Sequence, residues 1–278
     1  MKTQTVPAYA KLNLTLDILG KRDDGYHELR MVMQTVSLCD DVTVTLTDGT
    51  GVVCRVAGAE LPCDERNLAV KAANAFCEAL GYHGGIDIAL TKRIPSEAGM
   101  AGGSADAAAV LRALRDLIAP TLTDERLEQI SASVGSDVPF CIRGGTQLAT
   151  GRGEVLSPLP PLTDGWFVIV KPTESFSTAA MYRRLDNLPP ACTPPLPPLQ
   201  GGLPALAAGL FNRFEAAIPA GSAVWDIKAR LAAYGALAAL LSGSGSAVFG
   251  LFDTETAARA AVEALRPAWP EIFLARPV

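Results

Sequence analysis

Over residues 8–19 apolar and polar positions alternate, strictly so from Ala10 to Ile18. Ala10, Leu12, Leu14, Leu16 and Ile18 fall on one side, and Lys11, Asn13, Thr15 and Asp17 on the other. Successive side chains of an extended chain point to opposite faces, so this pattern predicts a half-buried strand. The Asp-Gly pair inside KRDDGYHE marks a turn. Alternation resumes through LRMVMQTVSLCDDVTVTL and GVVCRV, so the region begins as antiparallel sheet. The period then changes. Leu68, Ala72, Ala75, Phe76 and Leu80 recur at helical spacing over residues 67–80, and Gly81 ends that helix. A strand follows at 86–95, then helices near 104–118 and 124–134.

The second half begins with a fresh apolar strand, WFVIVKP at 166–172, after the proline-containing stretch 156–161. A domain boundary is expected there, giving an N-terminal domain over 1–160 and a C-terminal one over 161–278. Helices are predicted near 177–185, 206–217, 223–234 and 254–266. Strands are predicted on either side of SGSGS and in the final EIFLARPV, which makes the domain α+β. PPACTPPLPPLQGGLP (189–204) holds seven of the twenty prolines and reads as a surface excursion. Residues 231–252 carry no charge and are long enough to cross a bilayer. SGSGS in their middle, with Arg230 and Asp253 at their ends, favours two buried strands and a glycine turn.

Composition narrows the classes. The chain has 278 residues, 49% hydrophobic and 19% charged, which suits a globular protein of two medium domains. A net charge of −5 argues against nonspecific nucleic-acid binding, which needs a basic face. It leaves room for a small phosphorylated ligand. The six cysteines (39, 54, 63, 77, 141 and 192) form no CxxC pair and are expected reduced and mostly in the core. Pro7, Lys11 and Asn13 interrupt any apolar run of the kind an export signal needs, so a cytoplasmic protein is expected.

One stretch stands apart: PSEAGMAGGSADAAAVLRAL, residues 95–114. A strand, a glycine-rich loop and a helix start together make an anion site, because the first-turn N–H groups and the positive end of the helix dipole point at the loop. The order Gly-Met-Ala-Gly-Gly is neither a Walker loop nor GxGxxG. As bare chemistry it is equally a phosphate cradle or a tight structural turn, and Glu97 would repel phosphate unless it faces solvent.

Three stretches together resolve the ambiguity. PAYAKLNLTLDILGKRDDGYHEL, PSEAGMAGGSADAAA and LLSGSGSAVFG occur in the order used by the GHMP kinases, and RNLAVKAA, TKRIP and GSDVPF also fit. The chain resembles that family over nearly its whole length, the proline-rich insert being least covered. The first stretch most closely resembles the branch that phosphorylates a diphosphocytidyl derivative of methylerythritol on the non-mevalonate isoprenoid route. The resemblance implies an α+β fold with a ribosomal-protein-S5-like N-terminal domain carrying the ATP loop and a ferredoxin-like C-terminal domain. It also implies transfer from ATP to the C2 hydroxyl of the acceptor.

Roles carry over residue by residue. Lys11, otherwise a solvated lysine, would bring positive charge to the phosphoryl group, and Asn13 would bind substrate. Asp137, otherwise a turn or cap aspartate, would face the acceptor hydroxyl and take its proton, and a nearby lysine would keep it ionised. The ATP loop would comprise Pro95, Ser96, Glu97, Ala98, Gly99, Met100, Ala101, Gly102, Gly103, Ser104 and Ala105. Ala105 stands where the family more often has a second serine. Ser104 is expected to open the helix as a cap or phosphate contact, and Gly102 and Gly103 to resist any side chain. Asp106 is expected to stabilise the helix N-terminus. Asn67 and Lys92, otherwise ordinary surface residues, match positions lining the adenine pocket. Tyr26 and His27 are expected to read a cytidine, the tyrosine by stacking and the histidine by hydrogen bonding. LFNRFE (210–215) has Arg213 where the family segment often has aspartate, so only Asn212 and Glu215 carry over, as structural residues.

No acidic metal pair is found, and Mg²⁺ is expected on the ATP phosphates and water. The partners expected are ATP and a cytidine diphosphate conjugate, with no nucleic acid and no membrane, in a monomer or weak homodimer. The rival readings are a homoserine or mevalonate kinase of the same family, a non-catalytic nucleotide sensor, and a membrane protein built on 231–252. DGYHEL speaks against the first rival, and the presence of both Lys11 and Asp137 against the second.

Overall fold

The computed structural model describes residues 1–189 and 192–278, so positions 190 and 191 of the expected proline-rich excursion lie outside the described residues. The chain divides into two compact units, the first formed by Met1–Ala10, Cys39–Ile94 and Ala101–Gly144, the second by Lys11–Leu38, Pro95–Met100 and Gly145–Val278. Strands β1 (Thr3–Lys21) and β2 (His27–Thr47) contribute to both.

In the first unit, β3 (Val52–Ala57) runs parallel to β4 (Gly85–Thr91), which pairs antiparallel with β2 from Asp41↔Thr91 to Thr47↔Gly85. Parallel neighbours need a crossover, supplied here by α1 (Leu68–Leu80). Gly81 ends α1 in the left-handed conformation, as the sequence predicts, and Asn67, expected within the helix, instead caps it by accepting the Ala69 N–H. The buried face of α1 is Ala69, Val70, Ala72, Ala73 and Phe76; it packs on the alanine-rich face of α2 (Gly102–Ile118), where small side chains allow close approach. Helices α3 (Asp124–Ser131) and α4 (Val138–Arg143) complete the unit.

In the second unit, β5 (Thr146–Gly151) pairs antiparallel with the first part of β2, and β6 (Val155–Pro158) pairs with β5. There follow β7 (Trp166–Val170), α5 (Thr178–Asp186), α6 (Leu203–Ala208), β8 (Phe211–Asn212), α7 (Ala223–Ala233), β9 (Ala238–Leu241), β10 (Val248–Phe252), α8 (Glu255–Leu265) and β11 (Ile272–Ala275). The antiparallel order β11-β7-β10-β9 is fourth, first, third, second in the chain, the ferredoxin-like arrangement. Its core includes Phe167, Ile169, Phe249 and Leu251, all buried.

Three expectations need correction. The single helix at 206–217 is broken at Gly209 into α6, the two-residue β8 and a 3-10 turn, Arg213–Ala217. Asn212 anchors the break: it is buried, accepts the Phe214 N–H and donates to the Leu241 and Gly243 carbonyls. Next, β1 is not half-buried, because residues 11–17 are buried on both faces. Alternation reports which positions share a face and cannot say whether the polar face finds partners indoors. Last, of the six free cysteines only Cys54 and Cys141 are buried, while Cys63 and Cys192 are exposed. The run 231–252 forms the end of α7, β9, a turn and β10, and among the described residues no helix is long and apolar enough to cross a membrane.

Candidate active site

The polar face of β1 forms a buried row. The Lys11 ammonium donates to Asn13 Oδ1 (2.5 Å) and to the Gly99 carbonyl (2.8 Å), while the Lys11 N–H donates to the Met100 carbonyl (3.2 Å). Asn13 Nδ2 reaches Met31 Sδ (3.4 Å), and Thr15 Oγ1 accepts the Val32 N–H (3.0 Å). Buried polar groups are tolerable only with such partners. Placing Lys11 there commits a positive charge to one position.

The loop segment Pro95–Met100 rests on the SGSGS turn of the same unit. Ser242 Oγ donates to the Gly99 carbonyl (3.0 Å), and the Ser246 N–H donates to the Glu97 carbonyl (3.3 Å). Gly99 sits at φ +70°, and a Cβ there would overlap the Ser242 carbonyl. Glu97 (φ 51°) and Ala101 (φ 58°) also occupy the left-handed region, which costs roughly 1 kcal/mol or more for each non-glycine residue. Strain of this kind persists where the surroundings over-determine the backbone, commonly at ligand sites.

Ala101 occupies the N-cap of α2, with no side-chain cap and no acidic residue in the first turn. The first-turn N–H groups have no intrahelical partner, so the positive end of α2 is chemically suited to an anion. Ser104 is therefore not the cap: Gly102 and Gly103 are already helical, which places the serine inside the first turn. Neither Gly102 nor Gly103 has a positive φ. A Cβ on Gly102 would press on Ile94 (3.1 Å), while one on Gly103 would make an ordinary contact with Leu68 (3.5 Å). The indispensable glycine is Gly99.

Lys92 and Asp106 are buried together rather than serving the surface and the helix end. The Lys92 ammonium donates to Asp40 and to Asp106 Oδ2 (2.5 Å), and Asp40 Oδ1 accepts the Ile94 N–H (2.8 Å). Burial pushes the Asp106 carboxyl up to about 7; Lys92 draws it down and the neighbouring Asp40 pushes it further up. Asn67 is also buried, its amide donating to the Pro62 carbonyl (2.8 Å) besides capping α1. Asp137 stands at the N-cap position of α4, half-buried, yet its side chain makes no capping bond. Its carboxylate is not spent on holding the helix.

His27 and Tyr26 diverge. Tyr26 is 56% exposed, with the Arg152 guanidinium 5.0 Å over its ring. His27 stacks on Tyr182 (centroids 4.4 Å apart, planes 16° apart) and its Nε2 lies 2.7 Å from Asp186 Oδ1. His27 also lines a cavity of about 540 Å³ with Ile18, Lys21, Asp186 and Arg213. Sequence reading missed Tyr182, Asp186 and Lys21. The available signal was the i, i+4 spacing of Tyr182 and Asp186, which puts both on one face of α5.

Comparison with known proteins gives the family of the chain. The GHMP kinases N terminal domain matches residues 67–145 and the GHMP kinases C terminal domain matches residues 200–271. The 4-diphosphocytidyl-2-C-methyl-D-erythritol kinase of Geobacter metallireducens is 42% identical over 266 residues, 95% of each chain. That of Clostridium tetani is 38% identical over 279 residues, 98% of this chain and 99% of the other. A crystal structure of 4-(cytidine 5'-diphospho)-2C-methyl-D-erythritol kinase superposes with a TM-score of 0.85 at 36% identity, covering 98% of each chain. Mevalonate kinase from L. major shares the fold, with a TM-score of 0.75 at 18% identity over 99% of this chain and 97% of its own. The chain belongs to the GHMP kinases, within the family of 4-diphosphocytidyl-2-C-methyl-D-erythritol kinases.

Proposed function

We infer that the chain is an ATP-dependent kinase that phosphorylates the C2 hydroxyl of 4-diphosphocytidyl-2-C-methyl-D-erythritol, giving the 2-phosphate and ADP, in non-mevalonate isoprenoid precursor synthesis. The observation that carries this reading is the layout along β1. Lys11 joins Asn13 to the loop backbone at Gly99, and the cavity lined by Lys21 and His27 opens at the far end of the same strand. An acceptor with its alcohol at one end and a nucleobase at the other suits that layout.

In the reaction the C2 oxygen forms a bond to the γ-phosphorus, the bond from that phosphorus to the ADP oxygen breaks, and the hydroxyl proton leaves. We assign the proton to the Asp137 carboxylate, since an alcohol is a weak nucleophile at neutral pH. Lys11 supplies positive charge to the transferring phosphoryl group, and Asn13 holds the acceptor. Residues 95–105 receive the ATP phosphates through backbone N–H groups, the remaining catalysis being placement and charge stabilisation. Asn67 and Lys92 border the adenine in this reading. The Lys92 ammonium is engaged by Asp40 and Asp106, so its contact is assigned to its backbone.

Among the described residues no group of three or more His, Cys, Asp or Glu side chains is gathered to hold a metal. Mg²⁺ would be carried by the ATP phosphates and water, and would supply charge neutralisation. We further propose domains at 1–160 and 161–278, a monomer or weak homodimer, and a cytoplasmic location. The test is ADP release from the purified protein with ATP and each alcohol in turn. Turnover is expected with the diphosphocytidyl acceptor and not with homoserine or mevalonate; the reverse preference would overturn the assignment.

A further inference from the structure

β1 and β2 are joined by a turn in which the Arg22 N–H donates to the Tyr26 carbonyl (2.8 Å), so Lys21 and His27 meet at one end of the hairpin. Lys11 and Asn13 lie at the middle of β1. Between them, β8 runs parallel to β1 with Thr15 opposite Phe211 and Leu16 opposite Asn212. Just beyond this pairing come Asp17 on β1 and Arg213, the first residue of the 3-10 turn. Their side chains form an ion pair at 3.4 Å, with Asp17 2% and Arg213 14% exposed. The guanidinium also lies 5.6 Å over the Phe211 ring and lines the cavity that His27 lines.

We propose that Arg213 binds the diphosphate of the acceptor. This rests on the reading of the cavity as the nucleotide end of the acceptor site, and adds a residue for which the sequence offered no functional role. A diphosphate diester carries two negative charges and, within this site, lies after the nucleobase and before the alcohol. Arg213 occupies that intermediate position along β1. Without a cation the carboxylates of Asp17 and Asp186 would repel the diphosphate. Lys21, the other lining cation, is solvent-exposed and unrestrained by burial, whereas Arg213 is held by Asp17 and by packing. A planar guanidinium matches two phosphate oxygens at once, which a lysine ammonium cannot do.

The test compares CDP with cytidine, which differ only in the diphosphate, by titration calorimetry. Removing Arg213 alone would leave Asp17 buried without its counter-charge, so the comparison is Asp17→Asn against the double variant Asp17→Asn, Arg213→Gln, with melting temperatures checking the fold. Wild type is expected to bind CDP more tightly than cytidine. The double variant is expected to lose about ten- to a hundredfold in CDP affinity relative to Asp17→Asn, the range for hydrogen bonds to charged groups, with cytidine affinity changing less than twofold. Equal losses for both ligands, or no loss for CDP, would make Arg213 a counter-ion for Asp17 and nothing more. If wild type binds CDP and cytidine equally, this inference fails and the nucleotide-pocket reading stands. If it binds neither, both fall.

Discussion

The ammonium of Lys11 and the carbonyl of Gly99 are hydrogen-bonded at 2.8 Å, which ties a strand residue to the strained turn of a loop 88 positions later. Ser242 donates to the same carbonyl from a third segment. The loop is thus shaped by what it rests on as much as by its own glycines.

Gly99→Ala is therefore expected to be the damaging substitution in this loop. The new Cβ meets the Ser242 carbonyl, and the backbone would hold alanine at φ +70°. Strain and overpacking together predict a loss of roughly 2–4 kcal/mol and a fall in ATP affinity. Gly103→Ala is expected to leave stability unchanged or raise it by about 0.5–1 kcal/mol, because that position is helical with only Leu68 nearby. Thermal melts and ATP titrations of the two variants check this, and a reversed order of damage would contradict it.

Asp137→Asn is expected to lower kcat by about a hundred- to ten-thousandfold while ATP still binds. The amide keeps the size of the side chain and removes both base and charge. Because Asp137 makes no capping bond, the melting temperature should move little. A large loss of stability with turnover preserved would return the residue to a structural role.

How far the sequence carried depended on the kind of information each feature needed. α1 was legible because the 3.6-residue repeat and Gly81 are both local signals. The strands flanking SGSGS were legible for the same reason. What local pattern does not contain is the identity of a distant partner. Lys92 reads as a surface residue until β2 brings Asp40 to it, and Ser104 reads as a cap until Ala101 is seen to hold that position at positive φ. Lys11 stood out through family resemblance rather than spacing, since an alternating strand usually puts its lysines in water, whereas here it is buried. Arg213 registered only as a departure from the related pattern; its place beside Asp17 follows from the pairing of β8 with β1 just before it, which spacing along the chain does not reveal.

The buried group at Asp40, Lys92 and Asp106 predicts a pH dependence of stability. The Asp106 carboxyl is raised to about 7 in the folded chain against about 3.9 unfolded. Between those values the folded state binds more protons than the unfolded state, so this group's contribution is complete below pH 4 and is lost as pH rises through 7. Asp106→Asn should flatten that segment of the profile. Lys92→Met leaves two buried carboxylates without their cation and should cost about 3–5 kcal/mol at pH 7.5, with partial recovery near pH 5. Denaturant melts at several pH values measure both. A wild-type stability that climbs between pH 4 and 7, with the same climb in Asp106→Asn, would refute the assignment.

The last prediction concerns how a cytosine is told from a uracil. His27 Nε2 lies 2.7 Å from Asp186 Oδ1, and a carboxylate accepts hydrogen bonds, so Nε2 carries the proton. In neutral imidazole the other nitrogen, Nδ1, is then an acceptor. Cytosine presents an exocyclic amino donor where uracil presents a carbonyl acceptor, so an Nδ1 lone pair suits the first base and repels the second. In this prediction Asp186 would select the base by fixing the tautomer, and Tyr182, stacked on the imidazole at 4.4 Å, would fix the plane of the ring. Asp186→Asn is expected to release the tautomer and narrow the preference for the cytidine acceptor over its uridine analogue by about tenfold, with ATP affinity unchanged. His27→Ala should narrow it at least as much. Tyr26, exposed and paired with Arg152, would contribute a stacking face, and Tyr26→Ala should then raise the acceptor KM by about ten- to a hundredfold for both bases alike. The separation between variants is the decisive reading: kcat/KM for the two acceptors must change unequally in Asp186→Asn and equally in Tyr26→Ala. A base preference that survives both Asp186→Asn and His27→Ala would move recognition of the pyrimidine edge away from this histidine.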